Sequence, residues 1–193
     1  MVGNTVIRSL KLFLFSAITL AITSCVVPER NEKSDYLLRD NVGKGLIVFS
    51  LSAEGSRQHW VAFRQVGHED QNIVFLNTRG IEGLITNYDW KEPFGRLIYL
   101  ELDAGEYEFF GWHPQYPCSS DPECLALNKK IRFAVVPDTV SYIGNIHFTI
   151  LSSSQAYKYE ISDEFDRDIS LLTSRLVNVK REQVNREIAK ANK

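Results

Sequence analysis

The stretch Val140-Ser141-Tyr142-Ile143-Gly144-Asn145-Ile146-His147-Phe148-Thr149-Ile150 carries the clearest fold signal in this chain of 193 residues. Its apolar positions are Val140, Tyr142, Gly144, Ile146, Phe148 and Ile150. Its polar positions, together with the preceding residue, are Thr139, Ser141, Asn145, His147 and Thr149, and Ile143 is the one apolar exception among them. This period of two predicts a strand with one face on a core and the other toward polar surroundings.

Other strand-like runs lie on both sides of this stretch. They cover residues 45–52, 58–65, 72–77, 96–102, 106–112, 130–136 and 156–161, with a further short strand expected around 84–85. The run at 45–52 is apolar almost throughout, which is typical of a strand covered on both faces. Short strands separated by turn-rich segments predict a mainly β protein with an antiparallel β-sandwich over residues 44–161.

Asp103-Ala104-Gly105 lies between two of these runs. A short connection with glycine at a position that tolerates positive φ is typical of a β-hairpin, so residues 97–112 are expected to form one.

The last 32 residues, 162–193, change to a helical period. Phe165, Ile169, Leu172 and Leu176 form one apolar stripe, and Ser162 or Asp163 can cap the helix that carries it. A second helix is expected over 180–191, with Val184 and Ile188 one turn apart. The C-terminal segment therefore predicts one or two helices, the first packed on the sandwich.

The first 24 residues have the layout of a cleaved signal peptide. Arg8 and Lys11 precede a ten-residue apolar segment that ends at Ala21, which is too short to span a bilayer. Ile22-Thr23-Ser24-Cys25 resembles the lipobox of bacterial lipoproteins, and that resemblance implies cleavage before Cys25 and acylation of its thiol. Val26, rather than aspartate, then favours the outer membrane, facing the periplasm. The alternative is an ordinary secretory signal with an incidental cysteine.

Residues 25–43 follow this leader as an acylated cysteine and a flexible tether, although residues 36–38 offer apolar side chains that can pack on the domain instead. The leader carries two basic and no acidic residues, so the net charge of −2 becomes −4 after its removal. A mildly acidic chain of this kind does not favour a nucleic-acid partner.

Cys118 and Cys124 remain as a pair in a polar, turn-rich segment. In an oxidising compartment such a pair predicts a disulfide. A metal site with His113, Asp121 or Glu123 is the alternative, but the spacing differs from that of zinc motifs. We expect no metal and no cofactor.

The segment from Trp112 to Pro117 is the strongest candidate for binding. Trp112, His113 and Tyr116 stand at a strand end beside the cysteine pair, where rigid aromatic side chains can stack on a sugar or grip a protein. The alternative is that Trp112 and Tyr116 cover the end of the core. No nucleophile, zinc or phosphate-loop motif is present in the sequence.

Gly105-Glu106-Tyr107 and Tyr142-Ile143-Gly144-Asn145-Ile146 resemble motifs of uncharacterised bacterial lipoproteins with a prealbumin-like (transthyretin-like) β-sandwich. The resemblance covers residues 45–176 and also includes the acidic helix. It implies that fold, and it carries over no catalytic residue because the group has no agreed activity.

The sequence therefore predicts a non-catalytic, lipid-anchored envelope protein that reaches the membrane through its anchor and contacts an envelope protein. One alternative is a carbohydrate or peptidoglycan binder that uses Trp112, Tyr116 and Trp90. Another is a hydrolase whose site is assembled from distant loops.

Overall fold

The computed structural model describes residues 34–38, 42–54, 59–68, 74–77, 89–91, 93–114, 125–151 and 157–191. They form a mainly β structure with one α-helix, α1, at Phe165–Arg175. The strands are β1 Lys44–Ala53, β2 His59–Gln65, β3 Val74–Asn77, β4 Trp90–Lys91, β5 Phe94–Asp103, β6 Gly105–Pro114, β7 Leu125–Val135, β8 Val140–Ile150, β9 Tyr157–Ser162, β10 Val184–Arg186 and β11 Lys190–Ala191. The strand expected around 84–85 lies outside the described residues.

The strands belong to two sheets. Sheet A has the order β10-β8-β1-β5-β4, with β9 also paired to β8, and sheet B has the order β11-β7-β6-β2-β3. The sequence predicted an antiparallel arrangement, but β8 runs parallel to both β1 and β10. Sheet A is therefore mixed, because β8 accepts partners from opposite ends of the chain.

The two sheets face each other across a shared apolar core, so the arrangement is sandwich-like. Phe49 of β1 lies on one side of this core, and Phe63, Phe109 and Phe133 of sheet B lie on the other. The Phe49 and Phe109 rings meet edge to face at 5.3 Å between centroids, one of the two geometries that aromatic pairs prefer.

A second core lies on the outer face of sheet A, under α1. Ile169, Leu172 and Leu176 are fully buried there, as the predicted helical stripe requires. Strand β1 contributes to both cores: Ile47 and Phe49 face sheet B, whereas Leu46 and Val48 face the helix. The prediction that β1 is covered on both faces is confirmed.

A β-bulge divides β8 into two halves. Tyr142 pairs with Val48 and Asn145 pairs with Ser50, so Ile143 and Gly144 together oppose Phe49. Because the extra residue reverses the alternation, Val140 and Tyr142 face α1, whereas Ile146 and Phe148 face sheet B. The prediction that these four residues share one face is therefore wrong. Gly144 has a φ of 105°, a conformation that glycine adopts without steric cost.

The expected hairpin at residues 97–112 is also wrong. Strand β5 pairs with β1 and β4 in sheet A, whereas β6 pairs with β2 and β7 in sheet B. The Asp103-Ala104-Gly105 turn therefore carries the chain from one sheet to the other. The Tyr107 hydroxyl donates to the Asp103 carbonyl oxygen at 3.0 Å and stabilises this corner.

The C-terminal segment does not form the expected second helix. A 3₁₀ turn at Arg181–Gln183 leads into β10, which extends sheet A, and the chain then crosses to β11 in sheet B. On the way, the Ala189 amide donates to the Ile143 carbonyl oxygen at 2.9 Å. Val184 and Ile188 thus pack as parts of an extended segment that links the two sheets at one side, because an isolated short helix is marginal in water whereas β10 joins a packed sheet.

Part of the predicted tether contacts the domain. Tyr36 is buried in the core under α1, and the Asn178 side chain donates to the Asp35 carbonyl oxygen at 3.2 Å. Residues 34–38 therefore pack beside the end of α1, in agreement with the alternative that their apolar side chains suggested. Cys25 and residues 26–33 lie outside the described residues.

Gly144→Ala should destabilise the fold by about 3 kcal/mol, since positive φ costs a non-glycine residue about 1–2 kcal/mol and overpacking adds a similar amount. An added Cβ would lie 3.1 Å from both the Ser162 carbonyl oxygen and the Ile161 side chain. Gly67→Ala is the matched control, because Gly67 has a φ of 84° but no atom within 4 Å of the added Cβ. Urea denaturation should show a clearly larger loss for Gly144→Ala, and equal losses would contradict the steric account.

Candidate functional site

A buried carboxylate stands at the contact between α1 and sheet A. Asp168, in the first turn of α1, is fully buried. Its Oδ2 accepts from the Ser50 hydroxyl at 2.6 Å and from the Tyr142 hydroxyl at 2.9 Å. Its Oδ1 accepts from Nε of Arg167 at 2.8 Å. One acidic side chain therefore joins the helix to both β1 and β8.

A continuous chain of polar contacts leads from this carboxylate to a half-buried histidine. The Asn145 side chain lies 2.9 Å from the Ser50 hydroxyl and 3.0 Å from the Ser52 hydroxyl, and Ser52 lies 2.9 Å from Nδ1 of His147. We refer to these connected residues as the Asp168 cluster: Ser50, Ser52, Tyr142, Asn145, His147, Arg167 and Asp168.

Hydrogen counting decides how this cluster is bonded. If the Asn145 amide oxygen faces both serines, the single Ser50 hydrogen must serve both Asn145 and Asp168. With the amide reversed, its two N–H hydrogens go to Ser50 and Ser52. The Ser50 hydroxyl is then free to donate to an ionised Asp168. Amide orientation is assigned from the hydrogen-bond network, and in this orientation the Asn145 oxygen can accept from the Ser162 hydroxyl, 3.2 Å away.

Burial and hydrogen bonding act in opposite directions on the acid. Burial raises the pKa of Asp168 above its ordinary value, while Arg167, Ser50 and Tyr142 offset part of that effect by stabilising the carboxylate. Burial and the neighbouring Asp168 charge also raise the pKa of Tyr142. Tyr142 therefore keeps its proton and remains a donor to Asp168.

Arg167 is held in place from its other side by an aromatic ring. Its guanidinium carbon lies 4.0 Å from the centroid of the Trp90 ring, a cation–π contact. Trp90 also covers Gly95, where an added Cβ would lie 2.4 Å from the indole. At the far end of α1, Arg175 pairs with Asp89 at 2.5 Å. Asp89 and Trp90, which precede β5, thus contact side chains at both ends of α1.

The Ser52–His147 pair has two of the groups that a serine hydrolase uses, but its placement does not suit catalysis. Ser52 is fully buried, so a substrate cannot reach its hydroxyl in this conformation. Asp168 bonds to Ser50, Tyr142 and Arg167, so it does not orient the imidazole. The geometry supports a structural role for the Asp168 cluster, in which a satisfied polar network fixes α1 on the sheet.

A second charged group lies on the outer face of sheet B. Glu108 is only 3% exposed and accepts from Arg64 at 3.0 Å and from Lys130 at 2.8 Å, with Arg132 at 3.8 Å. Burial alone would raise the pKa of Glu108, but the bonds from Lys130 and Arg64 outweigh it and hold that pKa below its usual value. Three cations around one carboxylate leave this part of the face positively charged.

A shallow cleft of about 220 Å³ lies where the C-terminal segment crosses between the sheets. Its lining includes Glu106, Arg132, Glu187 and Lys190, with Ile188 as an apolar wall. The cleft is smaller than ordinary ligand pockets, which occupy about 300–1,000 Å³.

The residues that the sequence singled out fall in different places. Trp112 is 1% exposed and packs in the core between the sheets, 4.4 Å from the Tyr157 ring and 5.6 Å from the Phe148 ring. Its predicted role as a binding residue is therefore wrong, and the alternative that it covers the core is the one that fits. His113 belongs to the end of β6, but its side chain lies outside the described part of the structure, as do Tyr116, Cys118 and Cys124.

Sequence reasoning did not find the Asp168 cluster. In the sequence, Asp168 follows Asp163, Glu164 and Asp166 near the start of the predicted helix, and Ser50 and Ser52 lie in an otherwise apolar run. The signal that was available is the pair of serines inside that otherwise apolar run, because a strand covered on both faces needs partners for buried hydroxyls.

Two further features are absent among the described residues, namely a metal-binding cluster and a membrane-spanning helix. No group of three or more histidine, cysteine, aspartate or glutamate side chains among them has the arrangement of a metal site. None of the helices in the described ranges has the length and hydropathy that crossing a bilayer requires.

Comparisons with known proteins assign this chain to no family. No protein-family model matches it, and no curated protein matches its sequence. It is similar to part of a solved structure, the crystal structure of a leucine-rich repeat protein from Bacteroides thetaiotaomicron, at 17% identity and a TM-score of 0.32. That match covers 70% of this chain and only 16% of the other, and likeness at this level carries no argument about fold or function.

Asp168→Asn should weaken the domain by about 2 kcal/mol at neutral pH, since one carboxylate oxygen becomes an NH₂ group that cannot accept, and a buried donor left without an acceptor costs about 1–3 kcal/mol. The pH dependence has a definite sign. Because the folded pKa of Asp168 is raised, the native state holds this proton more tightly than the unfolded state does. The stability that Asp168 contributes is therefore present below the unfolded pKa and falls as pH rises through the folded pKa.

Urea denaturation of wild type and Asp168→Asn between pH 4 and pH 8 measures this effect. The stability difference between the two proteins should shrink as pH rises. A difference that is constant with pH would show that Asp168 keeps its ordinary pKa. Asp166→Asn is the matched control, because Asp166 lies in the same turn of α1 with its side chain 89% exposed.

Trp112→Ala should destabilise the domain by about 3–5 kcal/mol, the range for removing a large aromatic side chain from a core. Val177→Ala, at a side chain that is 72% exposed, should change stability by less than about 0.5 kcal/mol. Thermal or urea unfolding checks both values, and near-wild-type stability for Trp112→Ala would contradict the core position of this indole.

Proposed function

We propose that this protein is a lipid-anchored component of the bacterial cell envelope whose β domain is a non-catalytic interaction module. The observation that carries the proposal is the Ile22-Thr23-Ser24-Cys25 motif, directly after a short apolar segment with a basic N-terminal side. Acylation of Cys25 by more than one chain would hold the protein stably on a membrane. In this proposal the membrane is the outer membrane, and the domain faces the periplasm.

The packing of residues 34–38 supports a domain that stays near the bilayer. Nine peptide steps separate Cys25 from Ser34, and an extended chain covers at most about 3.6 Å per residue. Ser34, whose carbonyl oxygen accepts from the Val177 amide just after α1, would therefore lie within about 32 Å of the acylated residue. A partner in this proposal is a component of the same membrane or lies close to its surface.

The outer face of sheet B supports the proposal of an interaction module. Arg64, Lys130 and Arg132 cluster there around Glu108, and the Lys130 and Arg132 side chains are 43% and 49% exposed. Charges in such a fixed arrangement steer and orient a partner of opposite charge. The finer fold proposal is that the two facing sheets are those of the prealbumin-like lipoproteins that the chain resembles.

Membrane fractionation with in-cell crosslinking tests the proposal. Wild type should sediment with the outer membrane and crosslink to an envelope protein, whereas Cys25→Ser should lose most of its membrane attachment because no acyl chain is added. Ser24→Ala is the matched control, since alanine keeps the small residue that the motif needs. It should fractionate like wild type.

Two outcomes would contradict the proposal, and they are distinct. Equal membrane attachment of Cys25→Ser and wild type would remove the lipid anchor. Normal attachment without a crosslinked envelope component would keep the anchor and remove the interaction module.

A further inference from the structure

Strand β9 is an edge of sheet A. Among the described strands it pairs with β8 alone, and β10 covers the other half of the same β8 edge. Edge strands present unpaired backbone groups to solvent and are templates for pairing with another chain. The edge from Lys158 to Ile161 is therefore a surface onto which a further strand fits.

The two faces of β9 differ in character. Tyr157, Tyr159 and Ile161 turn inward and pack against the core between the sheets, and the Tyr159 hydroxyl also donates to the Lys129 carbonyl oxygen at 2.5 Å. Lys158 and Glu160 turn outward, where their side chains are each 60% exposed and pair with each other. The outward face of this edge thus carries one charge of each sign, two residues apart.

This pattern is complementary to itself. When two antiparallel β9 strands meet about a two-fold axis, residues directly opposite share a face, and the register is set by the central residue. An axis at Tyr159 places Lys158 of each copy opposite Glu160 of the other, which gives two pairs of opposite charge. An axis at Lys158 or at Glu160 places like charges directly opposite, which is unfavourable.

We propose that two copies of this chain associate through antiparallel pairing of their β9 strands, centred on Tyr159. The pairing joins the two copies of sheet A into one continuous sheet and exchanges the two intrachain Lys158–Glu160 pairs, one in each copy, for two pairs between the copies. The edge is only six residues long, so its area is below the 1,200–2,000 Å² of stable interfaces and the association is weak in dilute solution. The charge pattern does not depend on the proposed function, but a membrane anchor would concentrate the copies.

The proposal predicts which positions can be crosslinked. Directly opposite positions have Cβ atoms about 4.5–5.5 Å apart, whereas diagonal neighbours are about 7–8 Å apart. Two differently tagged full-length copies, one Lys158→Cys and the other Glu160→Cys, should form a disulfide between the tags when expressed together. Either variant expressed alone should give little crosslinked dimer, because like positions are diagonal in this register.

A charge-exchange series provides an independent measurement. Lys158→Glu should lower co-purification of two tagged full-length copies by roughly tenfold, since it replaces two attractive pairs with two repulsive ones. The double variant Lys158→Glu/Glu160→Lys should recover co-purification to near the wild-type level. Glu182→Lys changes an exposed glutamate of the 3₁₀ turn, away from β9, to lysine. It is the control for the Glu160→Lys change in the double variant and should have no effect on co-purification.

Each outcome of these experiments decides the proposal. Crosslinking of the mixed pair above both single variants, with recovery by the double exchange, supports it. A mixed pair that crosslinks no better than the single variants overturns the register. Failure of the double exchange to restore co-purification overturns the charge complementarity. Urea denaturation of every variant confirms that the exposed substitutions leave the fold intact.

Discussion

The bulge at Ile143 and Gly144 decides which side chains of β8 enter each of the two cores. Without the extra residue, Asn145 and His147 would continue the face of Ser141 and Ile143 and enter the apolar core between the sheets, where a polar side chain without a partner costs several kcal/mol. The bulge reverses the alternation and moves Asn145 and His147 under α1. It also brings Ile146 and Phe148 into the core between the sheets. One strand thereby supplies apolar residues to two cores.

The polar residues that the bulge moves find partners on β1, since Asn145 lies within hydrogen-bond distance of Ser50 and Ser52, and His147 within that distance of Ser52. Asp168 accepts from Ser50 and Tyr142, and Asn145 connects the two serines of β1. Replacing a complete buried network by apolar residues is often neutral, but removing one member leaves others unsatisfied. The helix therefore binds in the register in which Asp168 meets Ser50 and Tyr142 together, whereas an apolar contact alone would tolerate sliding along the sheet.

Local sequence patterns predicted most elements but not how they pair. The stripe of Ile169, Leu172 and Leu176 predicted α1 and its buried face correctly, because helical period and burial are local properties. The predicted hairpin at Asp103-Ala104-Gly105 was wrong because the turn sequence does not show where the next strand pairs. A similar turn can lead into the same sheet or into the opposite one. The tail was wrong for a related reason: Val184 and Ile188 suit one helix face, but pairing with β8 is a tertiary contact. For the candidate site, the sequence left two positions open for Trp112, an exposed binding surface or the core. Only its packing against Phe148 and Tyr157, which are distant in the sequence, shows that it lies in the core.

The path of the C-terminal segment also explains why β9 is an edge of sheet A among the described strands. The C-terminal segment covers the first half of the β8 edge with β10 and then crosses to sheet B, so β9 is the outermost of the described strands over the second half. Proteins commonly protect such edges with charges of one sign, which repel a second copy. Here Lys158 and Glu160 cancel each other, and their order along the strand makes the edge attractive to its own copy. The route of the tail, which the bulge in β8 fixes through Gly144 and the Ile143 carbonyl, therefore also determines where this protein can extend its sheet.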